Sequence, residues 1–152
     1  MNLKRLAISA FLLASMTGCA TVKYGDKDTE AKLRQLQPIS GKASLYVCRE
    51  NAAFVGAGNR TTVFVDNKAI GTLKPNNFAH TVVEPGSHDI YIKRNPGGDS
   101  GTLTIRSLAD EVAIIWVGMT GKGFGILTVD NFSTRSEAEQ CVKSAEYAVL
   151  AD

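Results

Sequence analysis

The chain has 152 residues, 44% of them hydrophobic and 21% charged, with 14 glycines and 4 prolines. This is an ordinary globular composition, long enough for one domain and short for two. It excludes collagen-like, low-complexity and wholly disordered chains. A formal charge of +2 argues against a nucleic-acid-binding protein.

The chain opens with Lys4 and Arg5, followed by an uncharged, mostly apolar run from Leu6 to Met16. As a helix that run is roughly 16 Å long, too short for a bilayer core of about 30 Å. A basic start, a short apolar stretch and then small residues form an export signal. Met16-Thr17-Gly18-Cys19 resembles the lipobox of bacterial lipoproteins, with Met in place of the usual Leu. The resemblance implies that the Cys19 thiol receives a diacylglyceryl group, that residues 1–18 are removed and that the new amino group is acylated with a palmitate-type chain. Ala20 stands where lipoproteins retained in the inner membrane often carry Asp, which implies sorting to the outer membrane, with the domain facing the periplasm. Loss of residues 1–18 removes Lys4 and Arg5, leaving fifteen basic side chains against fifteen acidic ones. Such a balance gives no general steering field, so membrane attachment rests on the acyl chains of Cys19, each buried CH2 being worth about 0.8 kcal/mol.

Residues 19–40 read as a lipidated tether, polar and mixed in charge, with a short helix expected between Asp28 and Gln37 and stopped by Pro38. Residues 41–152 read as the folded domain. Two cysteines remain there, Cys48 and Cys141. In an oxidising compartment they either form a disulfide or stay as separate buried thiols. A bridge would stabilise by about 4 kcal/mol in the chain-entropy model.

From Gly41 the hydrophobic period is two. Ala43, Leu45 and Val47 alternate with Ser44, Tyr46 and Cys48. Thr61–Asp66 is a strand whose turn at Asp66-Asn67-Lys68 returns it as Ala69–Leu73. Phe78–Glu84 and His88–Lys93 flank Pro85-Gly86-Ser87 and read as a second hairpin, which would place His80 opposite Tyr91 and away from His88. Thr102–Ser107 follows. The nearly all-apolar Val112–Val117 is expected as a central strand covered on both faces, and Ile126–Val129 is the last strand. Thr134 and Glu137 have the spacing of a capping box. Beyond them Ala138, Cys141, Val142, Ala145 and Val149 fall on one helical face. The expected fold is mainly β: an antiparallel β-sandwich of seven or eight strands with one C-terminal helix.

Tyr46-Val47-Cys48-Arg49, Val63-Phe64-Val65-Asp66-Asn67-Lys68-Ala69-Ile70-Gly71 and Val83-Glu84-Pro85-Gly86-Ser87-His88 form a series over about residues 41–130. It resembles a bacterial lipoprotein family with a periplasmic domain of unknown function, whose hairpins are related to those of PEGA-like surface sandwiches. That family brings no reaction and no catalytic residue. The same residues are also folding instructions: Asp66-Asn67 for a tight turn, Gly71 for a bulge or a close backbone approach, Pro85-Gly86 for a corner.

The candidate chemistry is sparse. The two histidines are too far apart in this scheme to share a metal, and the cysteines lack metal-ligand spacing. Gly118–Gly125 fails both phosphate-loop patterns. No nucleophile elbow or metalloprotease motif occurs. No enzyme activity, cofactor or metal is therefore expected. The expected role is a non-enzymatic binding or scaffold module of the cell envelope with a protein partner, or alternatively a domain that binds a small ligand or envelope glycan. Contact residues are sought in the loops Glu50–Arg60, Arg94–Gly101 and Gly118–Gly125, at Phe54, Val55, Lys122 and Phe124. Trp116 is assigned to the core, and Arg49 to a structural pairing at a strand end.

Overall fold

The computed structural model describes residues 22–51, 58–95, 97–120 and 126–151. In chain order its elements are β1 (Lys23–Tyr24), α1 (Lys27–Leu33), β2 (Ala43–Arg49), β3 (Arg60–Val65), β4 (Lys68–Leu73), β5 (Asn77–Val83), β6 (Gly86–Asn95), β7 (Leu103–Ser107), β8 (Glu111–Thr120), β9 (Ile126–Asn131), α2 (Arg135–Ser144) and β10 (Glu146–Val149).

The strands form two sheets, one of six strands ordered β1-β10-β5-β2-β8-β9 and one of four ordered β4-β3-β6-β7. Leu45 and Val47 of β2, Ile115 and Val117 of β8, and Val129 of β9 meet Val63, Val65, Ile90 and Ile92 of the smaller sheet in one buried core. On the other face of the larger sheet, Tyr46, Cys48, Phe78, Val112 and Ile114 pack beneath Ala138, Val142 and Ala145 of the α2 segment, with Leu33 and Leu36 beside them. The molecule is thus layered sheet, sheet, helices. All seven residues of β2 are buried, because both faces of its sheet are covered; β8 is covered on both faces for most of its length.

The sandwich is broadly as expected, with four departures. It is mixed rather than wholly antiparallel: β2 runs parallel to β8 and β10 parallel to β5. Between β2 and β8 the chain makes two excursions into the smaller sheet, so it returns in the direction in which it left. Second, β5 and β6 form no hairpin. β5 pairs with β2 and β10 and β6 with β3 and β7, so Pro85-Gly86 is a corner between sheets.

Third, α2 ends at Ser144, with Ala145 already extended at φ −83°, ψ 161°. Val149 lies in a strand, not on the helix, because residues 146–149 have partners on both sides, β5 and β1. Fourth, there are two helices among the described residues, and the segment expected as tether is folded onto the domain from β1 onward. Asp26 caps α1 by accepting from the Thr29 amide at 2.8 Å. The buried Glu30 accepts from the Tyr147 amide at 2.9 Å and pairs with Arg34 at 3.0 Å. Arg34 in turn donates to the Ala145 carbonyl. A Cβ on Gly25 would fall 2.2 Å from the Tyr147 ring, so only glycine admits that ring.

Candidate functional site

The residues of the motif series hold the fold together. Tyr46 donates to the Leu33 carbonyl at 3.1 Å, tying β2 to α1. Arg49 is buried and donates to the carbonyls of Asn59 and Leu73; burial pulls its pKa down to about 10. It therefore ties the approach to β3 and the end of β4 to β2 through their backbone carbonyls, a structural pairing at a strand end as expected. Asp66 and Asn67 both have positive φ, 49° and 64°, as a two-residue hairpin turn requires. The β3–β4 ladder carries one extra residue, Ile70, between the pairs Phe64–Ala69 and Val63–Gly71. A Cβ on Gly71 would lie 2.8 Å from Ala79 Cβ and 2.9 Å from the Ala148 carbonyl oxygen. Gly71 thus serves both a bulge and a close approach between sheets.

His88 Nδ1 lies 2.7 Å from Asp66 Oδ2 and its Nε2 2.8 Å from the Glu84 carbonyl oxygen. The same carboxylate accepts from the Asp89 amide at 3.0 Å. These contacts clamp the β3–β4 turn to the corner before β6. Burial opposes charge on His88, but its two acceptors outweigh burial and raise its pKa. His80 sits on β5 with its ring 4.5 Å from that of Tyr46. Its Nε2 is buried without a hydrogen-bond partner, and burial pulls its pKa down to about 4. The two histidines stand in different sheets, and no group of three potential metal ligands occurs among the described residues.

A polar groove runs along the end of the larger sheet where the parallel strands β2 and β8 terminate. One part, about 420 Å³, is bordered by Glu50, Asn51, Asn76, Glu137, Gln140, Cys141 and Ser144. The adjoining part, about 390 Å³, shares Glu50 and Glu137 and adds Trp116, Thr120, Asp130, Asn131, Phe132 and Ser133. Three causes build it. The register pairs Arg49 with Val117, so β2 ends there while β8 runs on to Thr120 beside β9. The capping box of α2 is formed, Thr134 Oγ1 accepting from the Glu137 amide and Glu137 Oε2 from the Thr134 amide, each at 3.2 Å, which fixes Glu137 at the groove. The Cys48–Cys141 disulfide, with Cα atoms 6.2 Å apart, fastens α2 to β2 beside it.

Trp116 departs from its expected place in the core. It is half-buried and borders the groove, with its six-membered ring over Gly118: a Cβ there would fall 1.9 Å from Trp116 Cζ2. The sequence signal was the W-x-G spacing, since residues two apart on a strand share a face. Glu50, Asn51 and Thr120 stand at this same end of the sheet. Phe54, Val55, Lys122 and Phe124 lie outside the described residues, as does Cys19.

Residues 39–113 match a family model described as "Protein of unknown function (DUF2846)". The chain is also similar to an uncharacterized protein of Haemophilus influenzae, at 28% identity over 76 residues, or 49% of this chain. The match spans 44% of that relative's length, so the chain covers less than half of it. The family match contains Tyr46, Arg49, Asp66, Gly71 and His88, the residues that lock the sandwich. It stops before Trp116, Asp130 and Glu137 of the groove.

Proposed function

We propose that this protein is a lipid-anchored, non-enzymatic binding module of the bacterial cell envelope, held by acyl chains on Cys19 with its domain facing the periplasm. The observation that carries the reading is the Cys48–Cys141 disulfide, which closes a separation of 93 residues. Such bonds persist in oxidising compartments and are rare where thiols are kept reduced. That argument is independent of residues 1–19 and points the same way. The likeness to lipoprotein domains with PEGA-like hairpins supports it further. Neither histidine is placed as a catalytic base: both ring nitrogens of His88 are engaged in the corner, and His80 is packed against Tyr46.

The test is palmitate labelling with fractionation. Wild type takes up label and sediments with membranes; Cys19→Ala takes up none and moves to the periplasmic fraction. An unacylated protein that stays on the membrane would overturn the anchor.

The groove favours an envelope glycan as the ligand over a protein partner. Trp116 offers an aromatic ring backed by Gly118, and carboxylates and amides surround it, the combination that suits an apolar sugar face edged by hydroxyls. Wild type is expected to be retained on purified peptidoglycan. Trp116→Ala is expected to lose that retention while keeping the wild-type circular dichroism spectrum, at some cost in its unfolding midpoint. Equal retention of the two proteins would reject the glycan, and capture of a crosslinked envelope protein at the groove would favour the partner.

A further inference from the structure

We infer that the end of the sandwich opposite the groove rests on the lipid surface, so that the Trp116 groove faces away from the membrane to which Cys19 is attached. This inference rests on the acylation of Cys19 proposed above.

Strand directions fix the two ends. Lys23 of β1 pairs with Val149 of β10, and Tyr24 with Ala148; β10 is parallel to β5, and β5 antiparallel to β2. The chain therefore runs into the sheet from the side on which β2 and β8 begin, and joins it about midway along β2, at the level of His80 and Tyr46. The groove lies where β2 and β8 finish. Val22, packed against the sheet core, is three peptide steps from Cys19, and three steps reach at most about 11 Å. An acylated sulfur on so short a lead holds the entry end at the headgroups.

The surface of that end suits the position. Six large hydrophobic side chains are exposed among the described residues; three of them lie at that end and a fourth, Leu150, beside the entering strand. Ile39 is in the turn before β2, Val82 near the end of β5, Leu108 in the β7–β8 turn and Leu150 just after β10. Leu108 is the most open of the four, at 62%. Several charged groups around them have partners, and Arg106 of β7 is exposed at the same end. Lys42 pairs with Glu84, Asp110 accepts from the Gly41 amide at 2.8 Å and Glu111 from the Leu108 amide at 2.6 Å. Apolar side chains beside an ion pair and an exposed arginine can contact a lipid interface whose headgroups are partly anionic. Ile126, open to 63%, stands at the opposite end and serves as the contrast.

The single tryptophan makes the test direct. The acylated protein is purified from bacterial membranes and placed in phosphatidylethanolamine–phosphatidylglycerol vesicles containing dibrominated phosphatidylcholine, whose bromines quench nearby indoles. Wild type reports from Trp116 in the groove. Leu108→Trp in a Trp116→Phe background reports from the proposed contact end, and Ile126→Trp in that background from the far end. Fluorescence of the Leu108→Trp protein should be quenched severalfold more than that of the other two. Equal quenching, or stronger quenching at Trp116, would overturn the orientation. Intact mass of the same samples separates the two claims. An acylated protein without quenching at position 108 defeats the orientation alone; a bare Cys19 on a protein that leaves the vesicles defeats the anchor and the orientation with it.

Discussion

His88 donates through Nδ1 to the Asp66 carboxylate at 2.7 Å while its Nε2 faces a carbonyl oxygen. A carbonyl only accepts, so the ring carries both protons when both bonds are made. The Asp66 carboxyl is lowered, first by this hydrogen bond, and His88 is raised. The His88 contribution is complete below its ordinary value of 6.5 and disappears as pH climbs through the raised folded value. The Asp66 contribution is complete above its ordinary 3.8 and disappears as pH falls through the lowered one. His88→Gln should cost about 1 kcal/mol at pH 5–6, a figure kept small because Asp66 is half-exposed. That cost should shrink towards pH 9. Denaturant midpoints across pH check this; a cost that grows with pH would be contrary to it.

His80 works in the opposite sense. Burial lowers its folded value to about 4, against an ordinary 6.5. Between those values the unfolded chain takes up a proton that the folded protein refuses, so stability falls as pH drops through that window. His80→Phe, which keeps a ring against Tyr46, should remove a slope on the order of 2 kcal/mol between pH 6.5 and 4. Parallel slopes for wild type and variant would reject this.

The Cys48–Cys141 bridge joins β2 to α2 across 93 residues. Its loss should lower unfolding free energy by about 3–4 kcal/mol. Reductant should shift the unfolding midpoint of wild type and leave Cys48→Ala/Cys141→Ala unmoved. A wild type indifferent to reductant would show that the bond is not formed.

Glu30 is nearly inaccessible yet charged. Burial opposes its ionisation, but the Tyr147 amide, Lys27 and Arg34 outweigh burial and lower its pKa. Glu30→Ala would strand the Tyr147 amide and Arg34, at a cost of about 2–3 kcal/mol. Hydrogen exchange localises the effect: the amides of Tyr147 and Gly25, which donates to the Tyr147 carbonyl at 3.0 Å, should lose protection together. Unchanged exchange at both would show that the N-terminal segment is held by other contacts.

How much of this was legible depended on the range of the signal. The Asp66-Asn67 turn and the Thr134–Glu137 cap are local, and their residue types determine them. The covering of β8 was legible from its unbroken apolar run. The parallel pairing of β2 with β8 was not, because alternation reports which face is buried and not which strand lies alongside. The Pro85-Gly86 corner has the residues of a hairpin turn, and only the occupied edges of β5 and β6 exclude that reading. Glu146–Val149 continued a helical pattern by coincidence of period, with Val149 in phase. Trp116 was misplaced because its neighbours are core residues; the glycine two positions on was the available clue.

The pairing of β1 with β10 joins the first described strand to the last. Neither can complete its edge until nearly all of the polypeptide is available, and Cys141 reaches Cys48 only after the seven intervening strands, β3 to β9, have been made. Pairings so distant along the chain form slowly. The β2 segment is made early and waits for both its covalent partner and its β8 neighbour. Until both arrive, the faces of β2, buried along its whole length in the finished fold, stay uncovered and the sandwich cannot shut.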